Sequence, residues 1–134
     1  MICFGGGNEL HLARLLSETG IGNYLASLPD DKVYLGVSAG SMVVGRFMPG
    51  ELYGLVYPEE NFGEMTAPAL GLCDLCFIPH LGSEFFAHVR KENLERLKDR
   101  FPCDVYATDD ETALRIYDRT IDIVGTGNSW VFGK

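Results

Sequence analysis

The chain has 134 residues, 46% of them hydrophobic and 22% charged, which is the composition of a folded protein with a single domain over residues 1–134. Its formal net charge of −8 argues against a nucleic-acid partner, because phosphates would repel it. No apolar run reaches the length of a membrane span, and no charged-then-apolar leader opens the sequence. We therefore expect a cytoplasmic protein with no membrane partner.

The first half of the sequence predicts strands that alternate with helices. Apolar residues 1–4 predict a strand, and Asn8 is a suitable N-cap for a helix over 9–18. After a further helical turn, the apolar run 33–37 predicts a short buried strand. Residues 49–71 are rich in Gly, Pro and Glu and predict a long irregular excursion of the kind that often covers an active site.

The second half continues the alternation and then becomes strand-rich. The predicted elements are a strand over 72–78, a helix over 84–100, a strand over 104–107, and short strands over 113–117, 120–124 and 130–132. We therefore predict an α/β fold with a mostly parallel sheet, helices on both of its faces, and a terminal antiparallel meander.

The stretch Gly36-Val37-Ser38-Ala39-Gly40 lies where the strand over 33–37 meets a short helix beginning near Ser41. Strand, tight turn and helix form the context of a nucleophile elbow, in which flanking glycines avoid clashes and expose the serine hydroxyl. The alternative is a Gly-rich turn with an incidental serine, because the motif alone is common.

A serine nucleophile needs a base, and the chain has three histidines. His11 and His88 fall within predicted helices and are more typical of packing or surface positions. His80 follows the C-terminal end of a strand, where open α/β sheets gather their active-site residues. The acidic turn 109–111 also follows a strand and offers three candidates for an orienting acid, of which at least two are expected to be solvated.

The remaining chemistry concerns the oxyanion and the thiols. The amide of Ala39 and the glycines 5–7 suit an oxyanion hole, and the glycines lack the Lys-Ser/Thr of a P-loop.

The four cysteines are expected to be reduced thiols, and the isolated C-x-x-C over 73–76 does not indicate a zinc site. We expect no metal and no cofactor.

Taken together, these segments resemble the dipeptidase E (aspartyl dipeptidase) family of serine exopeptidases, relatives of cyanophycinase. The matching segments are Gly5-Gly6-Gly7-Asn8, the Gly-x-Ser-Ala-Gly turn at 36–40, Ile78-Pro79-His80, Glu111 before Ala113-Leu114, and the closing strand over 127–132. They occur in the family's order and span nearly the whole chain. The resemblance implies a flavodoxin-like sheet similar to that of class I glutamine amidotransferases, with serine in place of cysteine.

The resemblance also implies roles for individual residues. These are Ser38 as nucleophile, His80 as base, Glu111 as the orienting acid, and Gly6, Gly7 and Ala39 as oxyanion donors. Apart from the resemblance, we expect Asn8 to contact substrate. Arg46, the nearest cation after the serine turn, could pair with a substrate carboxylate, and the alternative is a solvated arginine. The implied reaction is hydrolysis of dipeptides or short peptides without a cofactor.

Family members carry several strands and helices before the Gly-Gly-Gly-Asn segment, whereas this sequence has only residues 1–4 there. We therefore expect the first strand to have an exposed edge, which a homodimer would cover. Two alternatives to a peptidase stay open at this point. The chain could be an inactive homologue that acts as a binding module, or an esterase that uses the same triad.

Overall fold

The computed structural model describes residues 1–48 and 69–133. The excursion predicted over 49–71 lies almost entirely outside the described residues. In the first described part, the elements are β1 (Ile2–Phe4), α1 (Glu9–Glu18), α2 (Ile21–Ala26), β2 (Tyr34–Gly36) and α3 (Ala39–Met42). Strands β1 and β2 are parallel, with Ile2 opposite Tyr34 and Phe4 opposite Gly36. Asn8 caps α1, because its Oδ1 accepts a hydrogen bond from the His11 amide at 2.8 Å.

The second described part supplies the remaining strands. Its elements are β3 (Cys76–Ile78), α4 (Lys91–Leu97), a 3₁₀ turn (Lys98–Arg100), β4 (Val105–Thr108), β5 (Thr112–Tyr117), β6 (Thr120–Gly125) and β7 (Ser129–Phe132). β3 is parallel to β4, and β7 lies antiparallel to β4 on its other side. β5 and β6 form a separate antiparallel hairpin.

The predicted α/β fold is confirmed, and the predicted sheet is confirmed only in part. Parallel pairing holds for β1–β2 and β3–β4, but the described strands form three hydrogen-bonded groups and not one mostly parallel sheet. The predicted meander over the last three strands is wrong, because β7 leaves β6 and pairs with β4. A hydrogen bond from the Asp109 amide to the Asn128 carbonyl, at 3.0 Å, continues that pairing beyond the end of β4.

The predicted helix over 84–100 is also corrected, since the helix begins only at Lys91. Arg90 has an extended backbone, with φ −127° and ψ 147°. A helix therefore cannot continue through this residue from the segment before it. Its guanidinium donates hydrogen bonds to the carbonyl groups of Ser83, Phe86 and Val89, at 3.0–3.1 Å. The side chain therefore satisfies the carbonyls that a helix would have bonded internally.

The buried core lies between the helices and the two groups of parallel strands. Its most enclosed side chains include Met42, Val43, Ile78, Leu94 and Val105, each at most 3% exposed. Fully burying one such side chain contributes about 1.5–3 kcal/mol. Because Met42 and Val43 lie directly after the serine turn and Ile78 lies two residues before His80, the core fixes both segments. None of the described helices is both long and apolar enough to cross a membrane.

Candidate active site

Ser38 occupies the tight turn between β2 and α3 with an unusual backbone conformation. Its φ is 53° and its ψ is −117°, a region that residues with a side chain rarely adopt. Such conformations cost about 1–3 kcal/mol each and persist where the surroundings enforce them. The turn therefore has the strained geometry expected of a nucleophile elbow.

The two glycines of the Gly-x-Ser-x-Gly motif make this turn possible. A Cβ on Gly36 would lie 2.6 Å from the Gly40 carbonyl oxygen, and a Cβ on Gly40 would collide with the Phe4 carbonyl. The Gly40 amide donates hydrogen bonds to the carbonyls of Gly5 and Val37, each at 3.0 Å. The glycines thus allow the β1 end, the β2 end and the start of α3 to pack backbone against backbone.

His80 lies two residues beyond β3, beside the serine turn. Its Nε2 is 2.9 Å from Ser38 Oγ, within hydrogen-bonding distance. Its ring stacks on Phe86, with centroids 4.3 Å apart and planes inclined by 13°. The backbone of His80 has a φ of 66°, and its carbonyl accepts a hydrogen bond from the Ser83 amide at 3.1 Å. Both the ring and the backbone of this residue are therefore held in place.

The carboxylate that contacts the other side of the imidazole belongs to Asp110. Asp110 Oδ1 lies 2.6 Å from His80 Nδ1. A carboxylate only accepts hydrogen bonds, so this contact assigns the proton to Nδ1 and leaves Nε2 free to accept from the serine hydroxyl. The expectation that Glu111 orients His80 is corrected accordingly: its side chain is exposed and its neighbour holds the imidazole. Asp110 is a lining residue of the groove beside the serine, whereas Glu111, the residue directly before β5, is not among the described lining residues.

Of the predicted oxyanion donors, Gly6 and Ala39 lie beside the serine. A Cβ on Gly6 would be 3.4 Å from Ser38 Cβ and 3.6 Å from Ser38 Oγ, so the Gly6 backbone borders the hydroxyl. Gly7, with a φ of 131°, follows directly. Ala39 is the first residue of α3, where an amide has no acceptor within its own helix.

A groove of about 660 Å³ opens beside Ser38, His80 and Asp110. Its walls are mostly apolar and come from β2, β3 and β5; they include Leu35, Val37, Phe77, Leu114 and Ile116. Lys32 is the only lysine or arginine among the described lining residues, and it lies at the opposite end of β2 from the serine. The groove has the size and the apolar character typical of a site for a small organic ligand.

The two predicted substrate-binding residues have other partners. Asn8 Oδ1 is engaged as the cap of α1. Arg46 donates to Asp74 Oδ1 at 2.7 Å on the surface, with side chains 57% and 78% exposed, and it is not among the described groove-lining residues. The hydrogen bond that Arg46 donates to Asp74 keeps the pKa of Arg46 above its ordinary value. None of the contacts among residues 1–48 and 69–133 brings Arg46 to the serine.

One contact behind the serine turn was not anticipated from the sequence. The Tyr34 hydroxyl donates to the Gly40 carbonyl at 2.6 Å, which braces the turn from the β2 side. Burial, followed by the influence of Cys3 and Cys73, raises the pKa of Tyr34 to about 12, so the phenol stays protonated and can donate. No sequence signal distinguished Tyr34 from an ordinary strand tyrosine.

No group of three or more His, Cys, Asp or Glu side chains with the geometry of a metal site occurs in residues 1–48 and 69–133. Cys76 Sγ and Cys103 Sγ lie 3.3 Å apart as free thiols, away from the described groove lining. The site therefore consists of a serine, a histidine and a carboxylate beside an apolar groove.

Comparisons with known proteins identify the family and the fold of the chain. The model of peptidase family S51 matches residues 1–124. The crystal structure, at 1.5 Å, of a candidate peptidase E protein from Listeria monocytogenes EGD-e is similar, with a TM-score of 0.72 and 21% sequence identity. The similarity covers 95% of this chain and 60% of that chain, and at this identity it shows the fold alone. No curated protein sequence matches this chain.

Proposed function

This chain belongs to peptidase family S51, and from that premise we propose that it is a serine peptidase that hydrolyses dipeptides or short peptides through Ser38, His80 and Asp110. The membership, together with the peptidase E-like fold, confirms the family resemblance seen in the sequence. The observation that carries the proposal is the continuous chain of contacts from Ser38 Oγ to His80 Nε2 and from His80 Nδ1 to Asp110 Oδ1.

In the proposed reaction, Ser38 Oγ attacks the peptide carbonyl carbon while His80 Nε2 takes the hydroxyl proton. The carbonyl oxygen becomes negative and is stabilised by the amides of Ala39, Gly6 and Gly7. His80 then gives its proton to the leaving amine as the C–N bond breaks. Water attacks the acyl-serine, passes a proton to His80, and releases the acid, after which the proton returns to Ser38 Oγ. Asp110 stabilises the imidazolium throughout.

The groove suggests the class of substrate. Apolar walls favour peptides with apolar side chains, because burying each CH₂ group is worth about 0.8 kcal/mol. Near the serine the described lining residues include Asp109 and Asp110 and no lysine or arginine. An acidic side chain placed there would be repelled. We therefore propose neutral, apolar short peptides as substrates, in preference to peptides with an N-terminal Asp.

A panel of dipeptides tests this proposal. Leu-Leu, Ala-Leu and Asp-Leu are incubated with the wild type, with Ser38→Ala and with the control Ser17→Ala, whose serine is exposed on α1. We expect hydrolysis of Leu-Leu by the wild type and the control but not by Ser38→Ala. Faster cleavage of Asp-Leu than of Leu-Leu would contradict the proposed substrate class.

The same panel separates the alternatives. Cleavage of p-nitrophenyl esters but of no peptide would identify an esterase. A well-folded wild type that turns over neither would favour the alternative of an inactive homologue. In both cases the peptidase proposal would be abandoned.

We further propose that the chain forms a homodimer through the free edge of β1. Ile2 and Phe4 bond with the β2 side, so the backbone groups of Cys3 point away from it, and β1 has no second neighbour among the described strands. Edges of this kind pair readily with another strand. Light scattering is expected to give the mass of a dimer for the wild type. It should give the mass of a monomer for Cys3→Pro, because proline lacks the backbone N–H that points away from β2 and would bond to the partner strand. A monomeric wild type at high concentration would refute the proposal.

A further inference from the structure

We propose that Asp109 is a positioning residue, which holds the turn after β4 so that Asp110 reaches His80; this inference rests on the proposed function. Asp109 directly follows β4. Its carboxylate accepts hydrogen bonds from the residues that follow it in the chain and from the turn between β6 and β7. The donors are the Glu111 amide at 3.1 Å, the Thr112 hydroxyl at 2.8 Å, and the amide and side-chain nitrogens of Asn128. Four hydrogen bonds therefore converge on this one carboxylate.

The two oxygens of Asp109 divide these donors by location. Oδ1 accepts from Glu111 and Thr112, which are the residues just beyond Asp110. Oδ2 accepts from Asn128, which lies in the turn between β6 and β7. The Asp109 amide also donates to the Asn128 carbonyl at 3.0 Å. Asp109 thus ties the backbone on both sides of Asp110 to a segment 19 residues further along the chain.

Asp110 needs this support because packing restrains it little. Its side chain is 59% exposed, whereas that of His80 is 21% exposed. An exposed side chain samples several rotamers unless its backbone and its partner hold it. A hydrogen bond as short as 2.6 Å between Asp110 and His80 therefore depends on where the turn places the Asp110 Cα. The bonds of Asp109 determine that placement.

Gly127 provides an independent sign that the second turn is shaped around this carboxylate. A Cβ on Gly127 would collide with the Asp109 carboxylate oxygens. The absence of a side chain there lets the β6–β7 turn approach closely enough for Asn128 to donate two hydrogen bonds. The hydrogen bond from the Asn128 amide, with those from Thr112 and Glu111, also lowers the pKa of Asp109, so the acceptor is charged at neutral pH.

The first readout is the proton on His80 Nδ1, which a hydrogen bond to a carboxylate shifts strongly downfield in a proton NMR spectrum. We expect this resonance in the wild type, its loss in Asp110→Asn, and its loss or marked weakening in Asp109→Asn. Asp109→Asn keeps the shape of the side chain but replaces one acceptor oxygen with a donor. Asp122→Asn is the matched control, since Asp122 pairs with Arg115 on the exposed hairpin and is not among the described groove-lining residues. Its spectrum should match the wild type.

The second readout is the rate at which phenylmethylsulfonyl fluoride modifies Ser38. In that reaction Ser38 Oγ bonds to sulfur, fluoride leaves, and His80 accepts the hydroxyl proton. We expect Asp109→Asn to slow the modification about a hundredfold, the order of loss that a 1 Å misplacement of a catalytic group causes. Asp122→Asn should react at the wild-type rate.

If Asp109→Asn fails to fold, Thr112→Val removes a single donor to Asp109 and is expected to weaken both readouts in part. A wild-type resonance together with a wild-type modification rate in Asp109→Asn would refute the positioning role. A wild type that hydrolyses none of the dipeptides would instead refute the proposed function, while the NMR comparison would still test the link from Asp109 through Asp110 to His80.

Discussion

Asp110 Oδ1 lies 2.6 Å from His80 Nδ1, on the side of the imidazole opposite to the contact with Ser38. Both Asp110 and its neighbour Glu111 are exposed, but only Asp110 is among the described residues that line the groove. Two adjacent carboxylates therefore have separate environments, and one of them alone holds the imidazole. This contrast provides a matched pair of substitutions.

Asp110→Asn is expected to lower the reactivity of Ser38 roughly 10²–10⁴-fold, because the amide favours the wrong tautomer of His80 and does not stabilise its charged form. Glu111→Gln, one residue away, should change it less than twofold. The measurement is kcat/KM for a cleaved dipeptide, or the rate of modification by phenylmethylsulfonyl fluoride. Equal losses in both variants, or a larger loss in Glu111→Gln, would overturn the assignment of Asp110.

Gly40→Ala is expected to destabilise the fold by about 1–3 kcal/mol or more, because the new methyl group collides with the Phe4 carbonyl in a site where only backbone can move. Gly5→Ala is the control, since a Cβ there meets nothing within 4 Å. The free energy of unfolding in urea measures both effects. A Gly40→Ala variant as stable as Gly5→Ala would show that the β1 end and α3 can separate without cost.

The serine turn could be predicted from sequence because its information is local. Gly36, Ser38 and Gly40 lie within five residues, and the clash that demands Gly36 is with Gly40 and Ser41 of the same turn. His80 could also be predicted from its place after a strand. The choice between Asp110 and Glu111 could not, because it depends on hydrogen bonds between Asp109 and Asn128, which lie 19 residues apart.

The errors in the predicted fold have the same origin. The apolar spacing around Phe85 and Phe86 is typical of a helix, yet Phe85 is 94% exposed and Phe86 stacks on His80. The apolar residues of this segment have helical spacing, but tertiary contacts give the segment a different, non-helical conformation. Likewise, β7 pairs with β4 and not with its chain neighbour β6. Strand propensity predicts that a segment is a strand but not which distant strand it pairs with.

Asp109 is expected to make stability depend on pH in the acid range. Its pKa in the folded state is lowered from 3.8, chiefly by the hydrogen bond from the Asn128 amide, so the folded protein binds this proton less readily than the unfolded chain. The stabilisation is therefore fully present above about pH 4 and is lost as the pH falls through the folded-state pKa. The difference in unfolding free energy between the wild type and Asp109→Asn should shrink over that interval. A difference that stays constant below pH 4 would contradict the lowered pKa.

The thiols are expected to differ in reactivity according to their burial. Cys76 is 2% exposed with its Sγ 3.3 Å from Cys103 Sγ, whereas Cys3 is exposed. Burial raises the pKa of Cys76 and of Cys103, which keeps both as thiols at neutral pH, and the thiolate is the form that reacts. Iodoacetamide added to dilute native protein at pH 7.5 should therefore alkylate Cys3 first, and Cys76 only after unfolding in urea, as peptide mapping by mass spectrometry would show. Alkylation of Cys76 at the rate of Cys3 in the folded protein would mean that β3 opens readily, and with it the segment that carries His80.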